Sequence, residues 1–144
     1  MSRKLTTHLQ GLALHHLRLG FLIHLRPLPR RAVYDYLVAT EPVSADVTLL
    51  SVADRLAARG EGPLASPEMV EAHLDRAREI LREAIDWHRD GPPRPPVSGD
   101  DLASELGLQP GPEMGRLLEE LRAEAFTGEI SGRAEALERA RQLR

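Results

Sequence analysis

Hydrophobic positions recur along this chain with helical periods almost throughout. Leu5, Leu9, Leu12, His16 and Leu19 follow Ser2 at spacings of three and four, which predicts a first helix capped by Ser2 and running to about Leu19. Gly20 should interrupt it, and Pro27 and Pro29 should fix an extended or turning stretch. Arg30 to Ala39 reads as a short helix ended before Pro42. Ser44 can cap a further helix through about Arg59, stopped by Gly60 and Gly62, with an apolar face of Val47, Leu50, position 54 and Ala57. Ser66 and Pro67 form a cap and first-turn pair. Val70, Leu74, Ala77, Leu81 and Ala84 then alternate steps of four and three, and Ile80 and Trp87 widen the stripe, so this helix should organise the core.

Gly91-Pro92-Pro93-Arg94-Pro95-Pro96 cannot be helical and marks the best internal boundary. Beyond it, Ser98 should cap a helix to about Leu106, closed by Gly107, and Gln109 to Pro112 should turn. Met114, Leu117, Leu118, Leu121 and Ala125 line one face of the next helix, Gly128 stops it, and Ser131 should cap a last one. Gly20 to His24 is too short for a strand and is followed closely by prolines. The pattern predicts an all-α protein of about seven helices. A multi-helical bundle should span residues 1–91, and a Pro-rich linker with a small helical appendage residues 92–144.

Composition changes this picture in two places. Aromatics make up only 3% of 144 residues, so the core must be built from Leu, Ala, Val and Ile packing by ridges and grooves. The chain has no cysteine, which excludes disulfides and thiolate ligands and suits the cytoplasm. No apolar run approaches a membrane span, and Met1-Ser2-Arg3-Lys4 does not open a signal peptide. Arg outnumbers Lys 18 to 1, which is ascribed to base composition rather than to function.

The net charge of −3 hides a gradient. Residues 1–34 carry six Lys/Arg and no Asp or Glu, whereas residues 35–144 carry 13 basic against 22 acidic side chains. Phosphate should be attracted locally by the leading segment and repelled by the remainder, so the chain does not read as a general nucleic-acid binder.

Candidate chemistry is sparse. His8, His15, His16 and His24 crowd the start; His8 shares roughly one helix face with His15 and His16, at steps of seven and eight rather than the three or four usual for paired ligands. Asp54 falls on a stripe expected to be buried, where a carboxylate needs a cation, a metal or several donors. An ion pair to Arg18 or Arg31 is the structural reading, and a metal or phosphate site the functional one. Asp100 and Asp101 follow the Ser98 cap and complement the helix dipole. Gly111-Pro112-Glu113-Met114-Gly115-Arg116 opens a helix whose free amides and Arg116 could meet a phosphate, although Glu113 opposes it; close helix packing through Gly115 is the plainer account. No catalytic triad, Walker loop or HExxH is present.

Two groups of residues carry a family resemblance. Val97-Ser98-Gly99-Asp100-Asp101-Leu102, Gly111-Pro112-Glu113-Met114-Gly115 and Gly128-Glu129-Ile130-Ser131 resemble the C-terminal part of bacterial tRNA nucleotidyltransferases, the CCA-adding and poly(A) polymerase-like enzymes. His15-His16-Leu17-Arg18-Leu19-Gly20-Phe21-Leu22, Pro27-Leu28-Pro29-Arg30-Arg31-Ala32 and Ser51-Val52-Ala53-Asp54-Arg55-Leu56-Ala57 resemble the later half of an HD-type phosphohydrolase domain. By that resemblance Asp54 corresponds to a late metal-binding aspartate and His16 to an extra histidine, with Mn, Fe or Mg as the implied divalent ion. The His-Asp doublet is absent, as is the Gly-Gly turn with Asp-x-Asp that marks a nucleotidyltransferase head.

The resemblance implies a non-catalytic helical module, either a piece of a longer protein or a shortened gene product. It would support an HD core and position tRNA or other RNA, with Arg18, Arg26, Arg30, Arg31 and Arg116 as phosphate contacts. The alternative is a reduced HD phosphohydrolase whose metal, held by His16 and Asp54, is completed across an oligomer. Loss of the first half of such a domain would uncover apolar helix faces, so a homo-oligomer, most simply a dimer, is expected.

Overall fold

The computed structural model describes residues 2–58 and 66–144. Among them every regular element is an α-helix, and there are eight: α1 Arg3–His15, α2 Arg18–Leu22, α3 Arg30–Thr40, α4 Ser44–Ala57, α5 Pro67–Asp90, α6 Gly99–Leu106, α7 Pro112–Thr127 and α8 Arg133–Gln142. The additional helix arises because α1 ends at His15 rather than near Leu19. The chain then resumes at Arg18, and Gly20 lies inside α2 rather than between helices. Gly60 and Gly62, expected to stop α4, lie outside the described residues. The chain divides into two compact units at the Gly91–Pro92 bond.

In the first unit α5 packs against α2, α3 and α4, and α4 also receives α1. Ser66 caps α5 by accepting a hydrogen bond from the Met69 amide at 3.3 Å, and Pro67 occupies the first turn, where its missing N–H costs nothing. The buried core is built from Leu19, Ile23, Val33, Leu37, Val43, Val47 and Ile80, with Tyr34 meeting Trp87 edge to face at 5.7 Å between ring centroids.

Two helices bury faces other than those their hydropathy indicates. No residue of α1 is buried. It docks through Gly11, where an added Cβ would come within 3.0 Å of Val43 Cγ2, so Leu5 and Leu9 stay about half exposed. The buried residues of α4 are Ser44, Val47, Thr48 and Ser51, while Leu50 and Asp54 are exposed. Ser44 is the first residue of the helix rather than its cap, and Val43 holds the N-cap position.

The second unit packs α6, α7 and α8 around Val97, Leu102, Leu108, Leu117, Leu121, Ile130, Ala136 and Ala140. Ser98 and Asp101 form a reciprocal capping box on α6: the Asp101 amide donates to Ser98 Oγ at 3.1 Å and the Ser98 amide to Asp101 Oδ2 at 2.8 Å. Gly107 and Gly128 close α6 and α7 at φ 65° and 82°, the left-handed region that glycine enters without strain. Gly132, not Ser131, is the N-cap of α8; Ser131 precedes it and donates its amide and hydroxyl to Glu135 Oε2 at 2.8 and 3.0 Å.

Candidate functional site

The proposed metal ligands do not form a binding set. His16 uses Nδ1 on its own helix, 2.8 Å from the Ala13 carbonyl. Asp54 is exposed, which overturns the expectation of a buried carboxylate. Position 54 keeps the side of Val47, seven residues on, but falls in the last turn of α4, beyond Ser51, the last buried residue of the helix. The two arginines considered as its partners are engaged elsewhere: Arg18 Nε donates to His15 Nδ1 at 2.9 Å, and Arg31 pairs with Asp35 at 3.1 Å. Among the described residues no three His, Asp or Glu side chains converge on a point that could hold a metal ion. His8 instead faces Asp46 at 3.4 Å. Burial, and secondarily Arg18, hold the His15 ring below its ordinary range, which disfavours a cationic role.

The polar chemistry of the first unit is inside its helix interfaces. Tyr36 on α3 hydrogen-bonds Thr48 on α4, oxygen to oxygen 2.8 Å, while Thr48 Oγ1 lies 2.7 Å from the Ser44 carbonyl. Burial raises the Tyr36 phenol above its usual range. Ser51 Oγ lies 3.1 Å from His73 Nε2, both side chains being buried, and His73 Nδ1 has no hydrogen-bond partner among the described residues. Arg76 on α5 is also buried; it donates to the Leu25 carbonyl at 2.5 Å and pairs with Glu79, tying the loop before α3 to α5. Neither His73 nor Arg76 stands out as a site in the sequence. The signal is their place in line with Ala77, Ile80 and Ala84, at core spacing.

The candidate phosphate contacts fall into three situations. Arg30 pairs with Glu83 and Arg31 with Asp35, so part of the expected positive field is already neutralised. Arg18 and Arg26 are exposed and have no carboxylate partner among the described residues. Arg26 borders a 300 Å³ cleft with Ile23, Leu28, Asp75, Arg76 and Glu79. Arg116 belongs to the second unit, exposed in the first turns of α7. Gly115 beside it is exposed, and an added Cβ would meet nothing within 4 Å, so close helix packing does not account for this glycine.

A second basic feature was not singled out by sequence. Arg3, Lys4 and His8 line an open cleft of about 860 Å³ at the start of α1, together with Leu5, Thr7 and Pro42. Ser2 makes no side-chain cap there.

No family model matches the chain. It is 34% identical over 115 residues to the CC-adding tRNA nucleotidyltransferase of Thermus thermophilus, an alignment covering 78% of this chain and 24% of that protein. The chain thus spans about a quarter of that relative's length. No solved structure matches it. Among the described residues no helix is long and apolar enough to cross a membrane.

Proposed function

We propose that this chain is a non-catalytic helical module of a tRNA nucleotidyltransferase-like protein, acting in the cytoplasm. Its first unit corresponds to the later half of an HD-type core, and RNA is held locally by Arg18 and Arg26, with Arg30, Arg31 and Arg116 contributing more weakly. The observation that carries this reading is the similarity to one part of a CC-adding tRNA nucleotidyltransferase. It is supported by a first 34 residues holding six cations and no carboxylate. Arg18 and Arg26 are exposed and make no ion pair among the described residues, although Arg26 shares its cleft with Asp75 and Glu79, whereas Arg30 and Arg31 pair with Glu83 and Asp35. The described residues do not fit a metal by themselves, and no chemical step is assigned to one.

Gel-shift titration with tRNA across a salt series tests the reading. Each phosphate contact contributes about 0.9 to the slope of log affinity against log salt on B-form duplex DNA, and about 0.7 on single strands. Arg18→Ala with Arg26→Ala should flatten that slope by about 1.4–1.8 and weaken binding at low salt. Arg30→Ala with Arg31→Ala should have the smaller effect. Equal, negligible affinity for tRNA and for an uncharged control polymer would overturn the proposal.

A further inference from the structure

The cleft bordered by Arg26 has two walls of different chemistry. One is the turn after α2, where Ile23 is buried, Leu28 half-buried and Arg26 exposed; the other is α5, with Ala72, Asp75, Arg76 and Glu79. Arg76 ties the walls together. Its side chain is 8% exposed, and its guanidinium donates to the Leu25 carbonyl while pairing with Glu79 on its own helix. The walls are therefore set before a ligand enters, which removes much of the cost of ordering them.

The polar groups on these walls have capacity left among the described residues. Asp75 and Glu79 lie one turn apart on α5 and share a face. Asp75 uses Oδ1 on Arg78, at 2.6 Å, and Glu79 uses Oε2 on Arg76, which leaves Asp75 Oδ2 and Glu79 Oε1 as acceptors without a donor. Arg76 engages two of its N–H groups, and its buried Nε has no partner. Arg26 makes no ion pair.

A cation beside two carboxylates is a poor site for a simple anion. Arg76 and Arg78 already offset much of the carboxylate charge, so Asp75 and Glu79 act chiefly as hydrogen-bond acceptors. They favour a polyanion only where it brings donors. Ribose does: its 2′-hydroxyl both donates and accepts, and deoxyribose lacks it.

We propose that this cleft holds one ribose-phosphate unit of an RNA strand, its phosphate on Arg26 and its 2′-hydroxyl between the α5 carboxylates and Arg76, and so distinguishes RNA from DNA. At 300 Å³ the cleft is at the lower limit for a whole small molecule, which suits a single sugar of a longer chain, with Ile23, Leu28 and Ala72 against its carbon atoms. The inference rests on the RNA reading and adds to it: Arg26 supplies affinity, and the α5 carboxylates supply the choice of sugar.

Fluorescence anisotropy of the full chain with three unstructured single strands of one sequence tests it: RNA, 2′-O-methyl RNA and DNA. The methyl ether keeps the ribose oxygen and removes its donor. At low salt RNA should bind about five- to tenfold more tightly than either of the others. Asp75→Asn with Glu79→Gln should bring that ratio close to one. Each amide oxygen can still accept from Arg78 or Arg76, while an NH2 group replaces the free acceptor. Both side chains are exposed, so helical circular dichroism should not change. Arg26→Ala should weaken all three strands alike and leave the ratio in place.

Equal affinity of the parent for RNA and 2′-O-methyl RNA would overturn the proposal and leave the RNA reading intact. So would a carboxamide variant that binds all three strands more tightly by one common factor, the result of charge removal alone. No measurable binding of any strand at low salt would overturn the RNA reading and this inference with it.

Discussion

Ser51 and His73 meet across α4 and α5, hydroxyl oxygen to ring Nε2 at 3.1 Å, with both side chains closed off from water. A polar contact therefore sits at the centre of the helix pair that organises the first unit. Replacing Ser51 with Ala leaves the imidazole nitrogen buried without its partner, a penalty of about 1–3 kcal/mol. Urea unfolding followed by circular dichroism should show that loss as a lower midpoint at an unchanged slope.

The same ring makes stability depend on pH. Burial, then the Arg55 charge, hold His73 below its ordinary value of 6.5, outweighing Ser51 and Asp54, which favour the proton. The fold thus prefers the neutral ring, while the unfolded chain takes up a proton near 6.5. The contribution is complete above that value and is lost as pH falls from there through the lower folded value. His15 acts with the same sign, so the decisive measurement is a comparison. His73→Leu should be less stable than the parent at about pH 8 and should show a shallower decline between about pH 7 and 5.

Tyr36 and Thr48 should be energetically coupled. Thr48→Val strands the buried Tyr36 hydroxyl and should cost about 1–3 kcal/mol, whereas Tyr36→Phe should cost less, about 0.5–1.5 kcal/mol, because Thr48 keeps its bond to the Ser44 carbonyl. The double variant should lose less than the sum of the two, because no stranded phenol remains. Strict additivity in a thermal unfolding cycle would refute the coupling.

In the second unit Glu124 is buried and its Oε1 accepts a hydrogen bond from Arg139 Nε at 2.8 Å, joining α7 to α8. Arg139→Ala leaves a buried carboxylate uncompensated and should cost about 2–3 kcal/mol, below the fully buried case because the guanidinium is 37% exposed. Glu124→Leu should be milder, since the arginine can turn to solvent.

The α6 capping box gives a separate handle. Ser98→Ala should destabilise the second unit by about 1 kcal/mol. The Ser98 amide and hydroxyl, with Arg133, pull the Asp101 carboxyl down to about 2 from 3.8. The fold prefers the carboxylate, so this contribution is present above pH 3.8 and lost as pH falls toward 2. Asp101→Asn should remove that part of the acid transition, read by circular dichroism between about pH 5 and 2.

The all-helical class, the α5 stripe and the punctuation of the second unit were legible in sequence because caps and glycine stops are local devices. Ser66 with Pro67, Ser98 with Asp101, and Gly107 and Gly128 need only their immediate neighbours. The faces of α1 and α4 were not legible, for physical reasons. Hydropathy places Leu50 inside and Thr48 outside, yet Thr48 is buried because its hydroxyl is satisfied by Tyr36 and by the Ser44 carbonyl. Leucines mark one side of α1, but the helix docks where Gly11 admits Val43. Charge counting overstated the candidate site in the same way. It could not show that Arg30 would meet Glu83, distant in sequence, while Arg18 would stay open to solvent.

One consequence concerns α1, which contributes no buried side chain. A 13-residue helix with no buried side chain, docked on α4 through Gly11 and the His8–Asp46 contact, has little to keep it helical once that docking opens. Its amides should therefore exchange with solvent through local opening, far faster than those of α5, whose buried face runs from His73 to Trp87. Arg3 and Lys4, which line the cleft with Pro42, thus sit on the part that can let go and re-dock while the rest of the first unit stays folded.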